Sequence, residues 1–302
     1  MPGVSEPTAP DRPVAVTGPT GRLGRAVLAE LERHDRPAVA WGRPDYDLDD
    51  PSAAARLVAR DGPALVVHCA AWTDVDGCAR DPDLAMRRNA RAVRELAEAA
   101  TGGGVDLLLV STNEVFDGGR ADGVGYLETD RAEPGNPYGA SKLAGERAAA
   151  VAFRDAASGG RLWVVRTAWL YGPPGRDFPA KILAAAARLP AGEPLTVVAD
   201  EIGSPTYAPD LAAALLDLAA RAEPGLYHLV NDGAASRLEW AAMVLARCRP
   251  GQPLRAIRQA EYPRPSTPPA WGVLSTAKAA AAGVTMRHWH DALDEYLADG
   301  CP

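Results

Sequence analysis

The first half of the chain alternates short, almost unbroken apolar runs with longer segments whose apolar residues recur every three or four positions. The runs are Pro13-Val14-Ala15-Val16-Thr17, Val39-Ala40-Trp41, Ala64-Leu65-Val66-Val67-His68-Cys69, Val105-Asp106-Leu107-Leu108-Leu109-Val110 and Leu162-Trp163-Val164-Val165-Arg166. Runs so short and continuous predict strands buried on both faces. Helices between them, such as residues 83–100, predict a parallel sheet covered on both sides. The expected fold class is α/β: a Rossmann-type doubly wound parallel sheet with ligands at the carboxyl ends of its strands. After about residue 170 prolines and loops are denser, as in Tyr171-Gly172-Pro173-Pro174-Gly175. Helical patterns return at 179–189, 210–220 and 237–247, which predicts a smaller C-terminal lobe that binds substrate. The expected division is a sheet domain at 11–168, with about 205–222 packing back on it, and a lobe made of 169–204 and 223–302. Residues 1–10 read as a flexible tail.

The first apolar run leads into Gly18-Pro19-Thr20-Gly21-Arg22-Leu23-Gly24 and then a helical pattern. Strand, glycine turn and helix together suit a dinucleotide: glycines let the backbone approach a pyrophosphate, and the helix N-terminus stabilises its charge. The spacing is G-x-x-G-x-x-G, and the plainer alternative is a turn that only reverses the chain. The second run ends at Trp41-Gly42-Arg43. A carboxylate there would favour NAD, whereas an arginine accommodates the 2′-phosphate of NADP. Arg43, helped by Arg22, therefore points to NADPH, against the alternative of an exposed arginine in a turn. Asp47 and Leu48 are placed to flank the adenine. Ala70 and Ala71, after the third run, keep side chains small where a flat cofactor must pass.

A second constellation lies further on, in Asn136-Pro137-Tyr138-Gly139-Ala140-Ser141-Lys142. Asn136 is a good N-cap and Pro137 a good first residue, so a helix is expected to start there. Residues four apart share a helical face, which brings the Tyr138 phenol beside the Lys142 ammonium. A neighbouring cation favours phenolate, so the tyrosine pKa is expected to fall toward working pH, as suits a general acid. The plain alternative is an ordinary surface pair. After the fourth run comes Ser111-Thr112-Asn113-Glu114-Val115-Phe116-Asp117-Gly118, where a hydroxyl can share a substrate carbonyl with Tyr138. The alternative for Ser111 and Thr112 is capping of backbone at a strand end.

Composition narrows the partners. With 302 residues the chain can bury roughly three quarters of its unfolded surface. A net charge of −7 and scattered basic residues argue against nucleic acid or an anionic membrane as partner. Cys69, Cys78, Cys248 and Cys301 lack metal or redox spacing and read as free thiols of a reducing cytoplasm. No apolar run is long enough to cross a bilayer.

Taken together, these motifs resemble the extended short-chain dehydrogenase/reductases, and among them the dTDP-4-dehydrorhamnose reductase family. The resemblance runs from about residue 13 to 298. It is carried by residues 18–24, 69–76, 111–118, 138–146, 166–172 and 202–210, and more softly by Arg264-Pro265 with Val273-Leu274-Ser275. It implies a Rossmann domain and a sugar-nucleotide lobe that use NADPH to reduce the C4 ketone of a dTDP-4-keto-6-deoxyhexose. It also implies that Thr112 binds the carbonyl, Tyr138 donates the proton, and Lys142 holds the nicotinamide ribose. Thr73 and Trp169 would line the sugar pocket, and Arg264 would lie near the diphosphate.

Two departures stand out. The family usually shows Ser-Thr-Asp-Tyr after the fourth strand, where this chain has Asn113 and Glu114; those positions face the sugar in relatives, and the plainer alternative is that Glu114 points to solvent. Where some members bridge a dimer through a metal held by acidic residues, Ser204-Pro205-Thr206-Tyr207-Ala208-Pro209 offers proline. The expectation is therefore no metal, and a monomer or weak homodimer. Two other readings use the same parts: an epimerase or dehydratase that keeps bound NAD, and a regulatory subunit that binds NADP without turnover.

Overall fold

The computed structural model describes residues 12–156, 159–298 and 300–302; the expected tail, 1–10, lies outside them. In chain order the first part runs β1 (Val14–Thr17), α1 (Arg22–Arg33), β2 (Ala38–Trp41), α2 (Ala53–Asp61), β3 (Leu65–His68), α3 (Val75–Arg80) and α4 (Pro82–Met86). A π-helical turn, Arg87–Arg91, joins α4 to α5 (Ala92–Gly102), so the expected helix over 83–100 is continuous but widened at its middle. Then come β4 (Asp106–Thr112), α6 (Pro137–Asp155) and β5 (Leu162–Thr167).

The central sheet is six-stranded and parallel, in the order β2-β1-β3-β4-β5 followed by a strand at Gly225–His228. Alternate residues of the inner strands enter opposite cores, as the pleat requires, while the edge strand β2 buries only the face of Val39 and Trp41. Val14, Val16, Val67 and Leu108 pack with Leu23, Val27, Leu211 and Leu215 on one face. Ala15, Val66, Leu107 and Leu109 pack with Leu57, Leu96 and Ala149 on the other. The chain moves outward from β1 to β2, then crosses to β3 on the opposite side. That reversal opens a crevice above the ends of β1 and β3.

The remaining elements are β6 (Leu170–Tyr171), α7 (Phe178–Ala187), β7 (Leu195–Val198), β8 (Ile202–Gly203), β9 (Thr206–Tyr207), α8 (Ala208–Arg221), β10 (Gly225–His228), β11 (Ala235–Ser236), α9 (Arg237–Cys248), β12 (Leu254–Ile257), α10 (Ala277–Ala281) and α11 (Trp289–Ala298). Helix α8 packs on the sheet domain through Leu211, Leu215 and Leu218. The returning segment is longer than 205–222, because β10 pairs with β5 and completes the sheet. A separate aromatic core of Tyr171, Tyr207, Trp240, Trp289 and Tyr296 holds the C-terminal part.

The cysteines depart from expectation. Cys248, at the end of α9, is disulfide-bonded to Cys301, while Cys69 and Cys78 are free. The two partners lie 53 residues apart, so spacing gave no sign of the bond. No helix among the described residues is long and apolar enough to cross a membrane.

Candidate active site

The crevice is a cleft of about 810 Å³, and the residues that form its two ends are set by different local devices. At the β1 end, Gly18 turns with φ +65° against β3; a Cβ there would meet the Ala70 backbone at 3.1 Å. Gly24 is closer still, since a Cβ would sit 2.2 Å from the Gly18 carbonyl oxygen. Only glycine lets α1 start so near the turn. The N-cap of α1 is Gly21, which offers no side-chain cap, whereas Asn136, Asp177 and Ser236 cap α6, α7 and α9. The first amides of α1 are thus left for an anionic group.

The opposite wall is fixed by Thr17, which is fully buried. Its hydroxyl oxygen accepts from the Cys69 and Ala70 amides, each at 3.0 Å, and lies 2.9 Å from His68 Nδ1. With two donors already arriving, the hydroxyl hydrogen goes to Nδ1, which makes His68 the Nε2–H tautomer. Burial first, and the Lys142 charge second, lower the His68 pKa to about 3, so the ring is neutral.

The sequence-predicted cofactor residues gather here. Gly18, Thr20, Gly21, Leu23 and Gly24 line one wall, and Ala70, Ala71 and Thr73 the other. Arg43, Asp47 and Leu48 line the far end, with Arg43 exposed. Arg22 also lines the cleft, but its guanidinium is committed elsewhere: it donates to the carbonyls of Gly172 and Gly175, each at 2.9 Å. These bonds tie the 170–175 loop to the glycine turn.

The chemical end is built on α6. Asn136 Oδ1 accepts from the Gly139 amide at 2.9 Å, so the helix starts where the N-cap reading places it. Tyr138 and Lys142 follow, both buried and both lining the cleft. The expected fall in the tyrosine pKa does not occur. Burial raises it well above the ordinary value, Glu114 adds to the rise, and the facing Thr112 hydroxyl opposes it. Lys142 instead donates to the Val110 carbonyl at 2.7 Å, and burial lowers its pKa to about 8. Desolvation of both groups outweighs the attraction that spacing suggested. The phenol therefore holds its proton.

Ser111 and Thr112 divide their work. The Ser111 hydroxyl donates to Glu146 Oε1, inside a buried pair in which Arg166 grips Glu146 through Nε at 3.0 Å and Nη2 at 2.7 Å. Ser111 thus braces β4 against α6 and β5, and this structure gives it no free hydroxyl for a cofactor. Thr112 accepts the Glu114 amide at 3.2 Å and faces Tyr138. Asn113 is buried, donating to the Gly272 carbonyl at 3.2 Å. Glu114 turns into the cleft instead of toward solvent; its Oε2 accepts from Asn136 Nδ2 at 2.7 Å. Burial raises its pKa, opposed by the Asn136 donor and by the charges of Arg237 and Arg264. Trp169 lines the cleft at a φ of +42°, a conformation that side chains with a Cβ rarely adopt and that clusters at functional sites. Arg264 is not among the lining residues. It pairs with Asp76 at 3.0 Å, in the first turn of α3.

Three contributors were invisible to spacing. Arg237, at the start of α9, lies 3.5 Å over the Trp169 ring and 3.3 Å from Glu201, and lines the cleft. Asn89, in the π-helical turn, accepts from the Trp72 amide at 2.8 Å and donates to the Trp72 carbonyl at 2.9 Å, fixing the loop that carries Thr73. Arg88 pairs with Asp49 and sits 5.8 Å from the Trp72 ring, closing the far rim. Only a tertiary contact reveals any of them.

A family model described as the RmlD substrate binding domain matches residues 12–301, nearly the whole described chain. The chain belongs to the dTDP-4-dehydrorhamnose reductase family. A family member from Mycobacterium tuberculosis (strain ATCC 25618 / H37Rv), a dTDP-4-dehydrorhamnose reductase, is 41% identical over 94% of this chain and 92% of its own. Another, from Streptomyces griseus, is 38% identical over 95% and 93%. Among solved structures, the dTDP-4-dehydrorhamnose reductase of Bacillus anthracis in complex with NADP superposes with a TM-score of 0.85 at 29% identity, covering 96% of this chain and 99% of that one.

Proposed function

We propose that this protein uses NADPH to reduce the C4 ketone of a dTDP-4-dehydro-6-deoxyhexose, a step of deoxysugar biosynthesis. The observation that carries the reading is the meeting of Thr112, Tyr138 and Lys142 at the cleft floor, beside a glycine turn and an uncapped helix N-terminus. These parts fit a dinucleotide. The α1 amides suit its pyrophosphate, Ala70 and Ala71 leave room for a flat ring, and Arg43 offers a cation to a 2′-phosphate. When bound, NADPH supplies the hydride.

The protein's own part is proton and charge placement. Thr112 donates a hydrogen bond to the ketone oxygen and orients it toward Tyr138. The phenol, held protonated by burial, releases its proton only when negative charge builds on that oxygen. Lys142, one helical turn away, then offsets the phenolate. Thr73 and Trp169 border the sugar, and Asn113 and Glu114 face it. The cofactor domain comprises about 11–168 with about 205–222, extended by the sheet strand β10, and the remainder of 169–302 forms the substrate lobe. The enzyme acts in the cytoplasm, where NADPH is the reductant, as a monomer or weak homodimer.

The test is to mix the protein with NADPH and a dTDP-4-dehydro-6-deoxyhexose and follow cofactor absorbance. Stoichiometric consumption of NADPH with a new C4 hydroxyl in the product supports the reading. Conversion of a nucleotide sugar with no net change in cofactor would show an epimerase instead.

A further inference from the structure

Two opposite charges face the cleft beside the ketone position without touching each other. Glu114 is an acceptor-only carboxylate whose sole side-chain partner among the described residues is Asn136 Nδ2. Arg237 is a donor-only guanidinium, 22% exposed, laid over Trp169 and bonded through Nε to Glu201. Glu201 is itself occupied, since its other oxygen accepts from Gln259 Nε2 at 3.1 Å. Glu114 and Arg237 sense one another's charge, yet no ion pair within 4.0 Å joins them. A charged pair left apart at a cleft wall leaves hydrogen-bonding capacity for something between.

The chemistry of the gap selects that group. A hydroxyl donates to a carboxylate and accepts from a guanidinium through one oxygen. An ammonium only donates, and Arg237 repels it. A bare methylene satisfies neither side, so both partly buried groups lose solvation without return. Position selects the carbon. Glu114 donates its amide to Thr112 and adds its charge to the environment of Tyr138, so the gap adjoins the carbonyl. In a 4-keto-6-deoxyhexose one neighbour of the ketone, C5, carries the methyl group and ring oxygen. The other, C3, carries the variable substituent.

Resting on the reductase reading above, we infer that Glu114 and Arg237 together read the C3 hydroxyl of the substrate. They make this protein selective for 3-hydroxy-4-keto hexoses over their 3-deoxy and 3-amino counterparts. A site built to hydrogen-bond a hydroxyl rejects the analogue lacking it strongly; with Arg237 partly open to solvent, the expected ratio is on the order of 10².

The experiment measures binding, so that it does not depend on turnover. Calorimetry would compare dTDP-6-deoxyhexoses with and without a 3-hydroxyl on NADP-loaded protein, with dTDP alone as a third ligand. The expected result is about 100-fold tighter binding of the 3-hydroxy sugar, a ratio that collapses to below about tenfold in Glu114→Gln and in Arg237→Met. Glu114→Gln can still accept from Asn136, so the α6 cap survives. Affinity for dTDP is expected to stay within about threefold in both variants. Equal binding of the two sugars by the parent protein overturns the inference. So does a parallel loss of dTDP affinity in Arg237→Met, which would make the guanidinium a diphosphate ligand. Failure to consume NADPH with any 4-keto sugar would instead sink the reductase reading, and the binding ratio would still judge the pair.

Discussion

Thr17→Val removes one oxygen and leaves the shape of the side chain almost unchanged. In the parent that oxygen serves three groups: the part-buried amides of Cys69 and Ala70 and the buried Nδ1 of His68. Each buried polar group left without a partner costs about 1–3 kcal/mol. Against this, the added methyl contributes about 1 kcal/mol of apolar burial. The net loss is about 3–5 kcal/mol, since relaxation recovers part of the three. For a chain of this size that lowers Tm by roughly 10 °C. The same two amides hold the turn against which Gly18 packs, so NADPH affinity is expected to fall about tenfold as well. Thr17→Ser is the control: it keeps the oxygen and loses a methyl, for about 1 kcal/mol. Chemical denaturation and cofactor titration read both quantities. A Val variant within 1 kcal/mol of the parent, or a Ser variant as damaged as the Val variant, would refute the role given to this hydroxyl.

Other expectations can be checked alongside. His68 and His228 are buried, and their pKa values are lowered to about 3 by burial, with Lys142 and Arg166 respectively adding to the effect. The unfolded chain binds their protons near pH 6.5, so stability falls as pH drops from about 6.5 toward 3. At pH 5 each histidine accounts for about 2 kcal/mol of loss, which denaturation at pH 7 and pH 5 in the His68→Gln and His228→Gln variants would detect as a flatter profile. Arg166→Met leaves the Glu146 carboxylate buried beside Ser111 and is expected to cost about 3–5 kcal/mol, while Arg166→Met with Glu146→Leu recovers most of it. Thiol titration of the unreduced, denatured chain is expected to find two reactive cysteines, Cys69 and Cys78, and four after reduction. Four before reduction would remove the Cys248–Cys301 bond from the account.

What could be read from sequence follows a physical divide. Four of the five apolar runs became β1, β3, β4 and β5, buried on both faces with no polar side to dilute the pattern, while the second became the edge strand β2, whose Ala38 and Ala40 are exposed. Gly18, Gly21 and Gly24, and the pair Tyr138 and Lys142, were legible because local backbone geometry fixes them. β10 was missed because Gly225-Leu226-Tyr227-His228 is short and opens on a glycine, and only pairing with β5 makes it a strand. The direction of the Tyr138 shift was wrong for a related reason: spacing reports a neighbour four residues away but not the desolvation that a packed interior imposes. Arg22 and Ser111 reach the cleft wall and Arg264 does not, and the partners of all three lie far along the chain. Their side chains turn to the 170–175 loop, Glu146 and Asp76, which only the folded chain brings near. Arg237 reaches the cleft from α9, more than 120 residues beyond Thr112, so no window along the sequence joins them.

The central claim is that the Tyr138 phenol delivers the proton to the ketone oxygen, and single-turnover reduction by Tyr138→Phe tests it most directly. With NADPH prebound and a dTDP-4-dehydro-6-deoxyhexose added, the variant is expected to consume cofactor about 10²–10⁴ times more slowly than the parent, with NADPH affinity kept within about threefold. A variant that reduces the sugar at the parent rate would contradict the account.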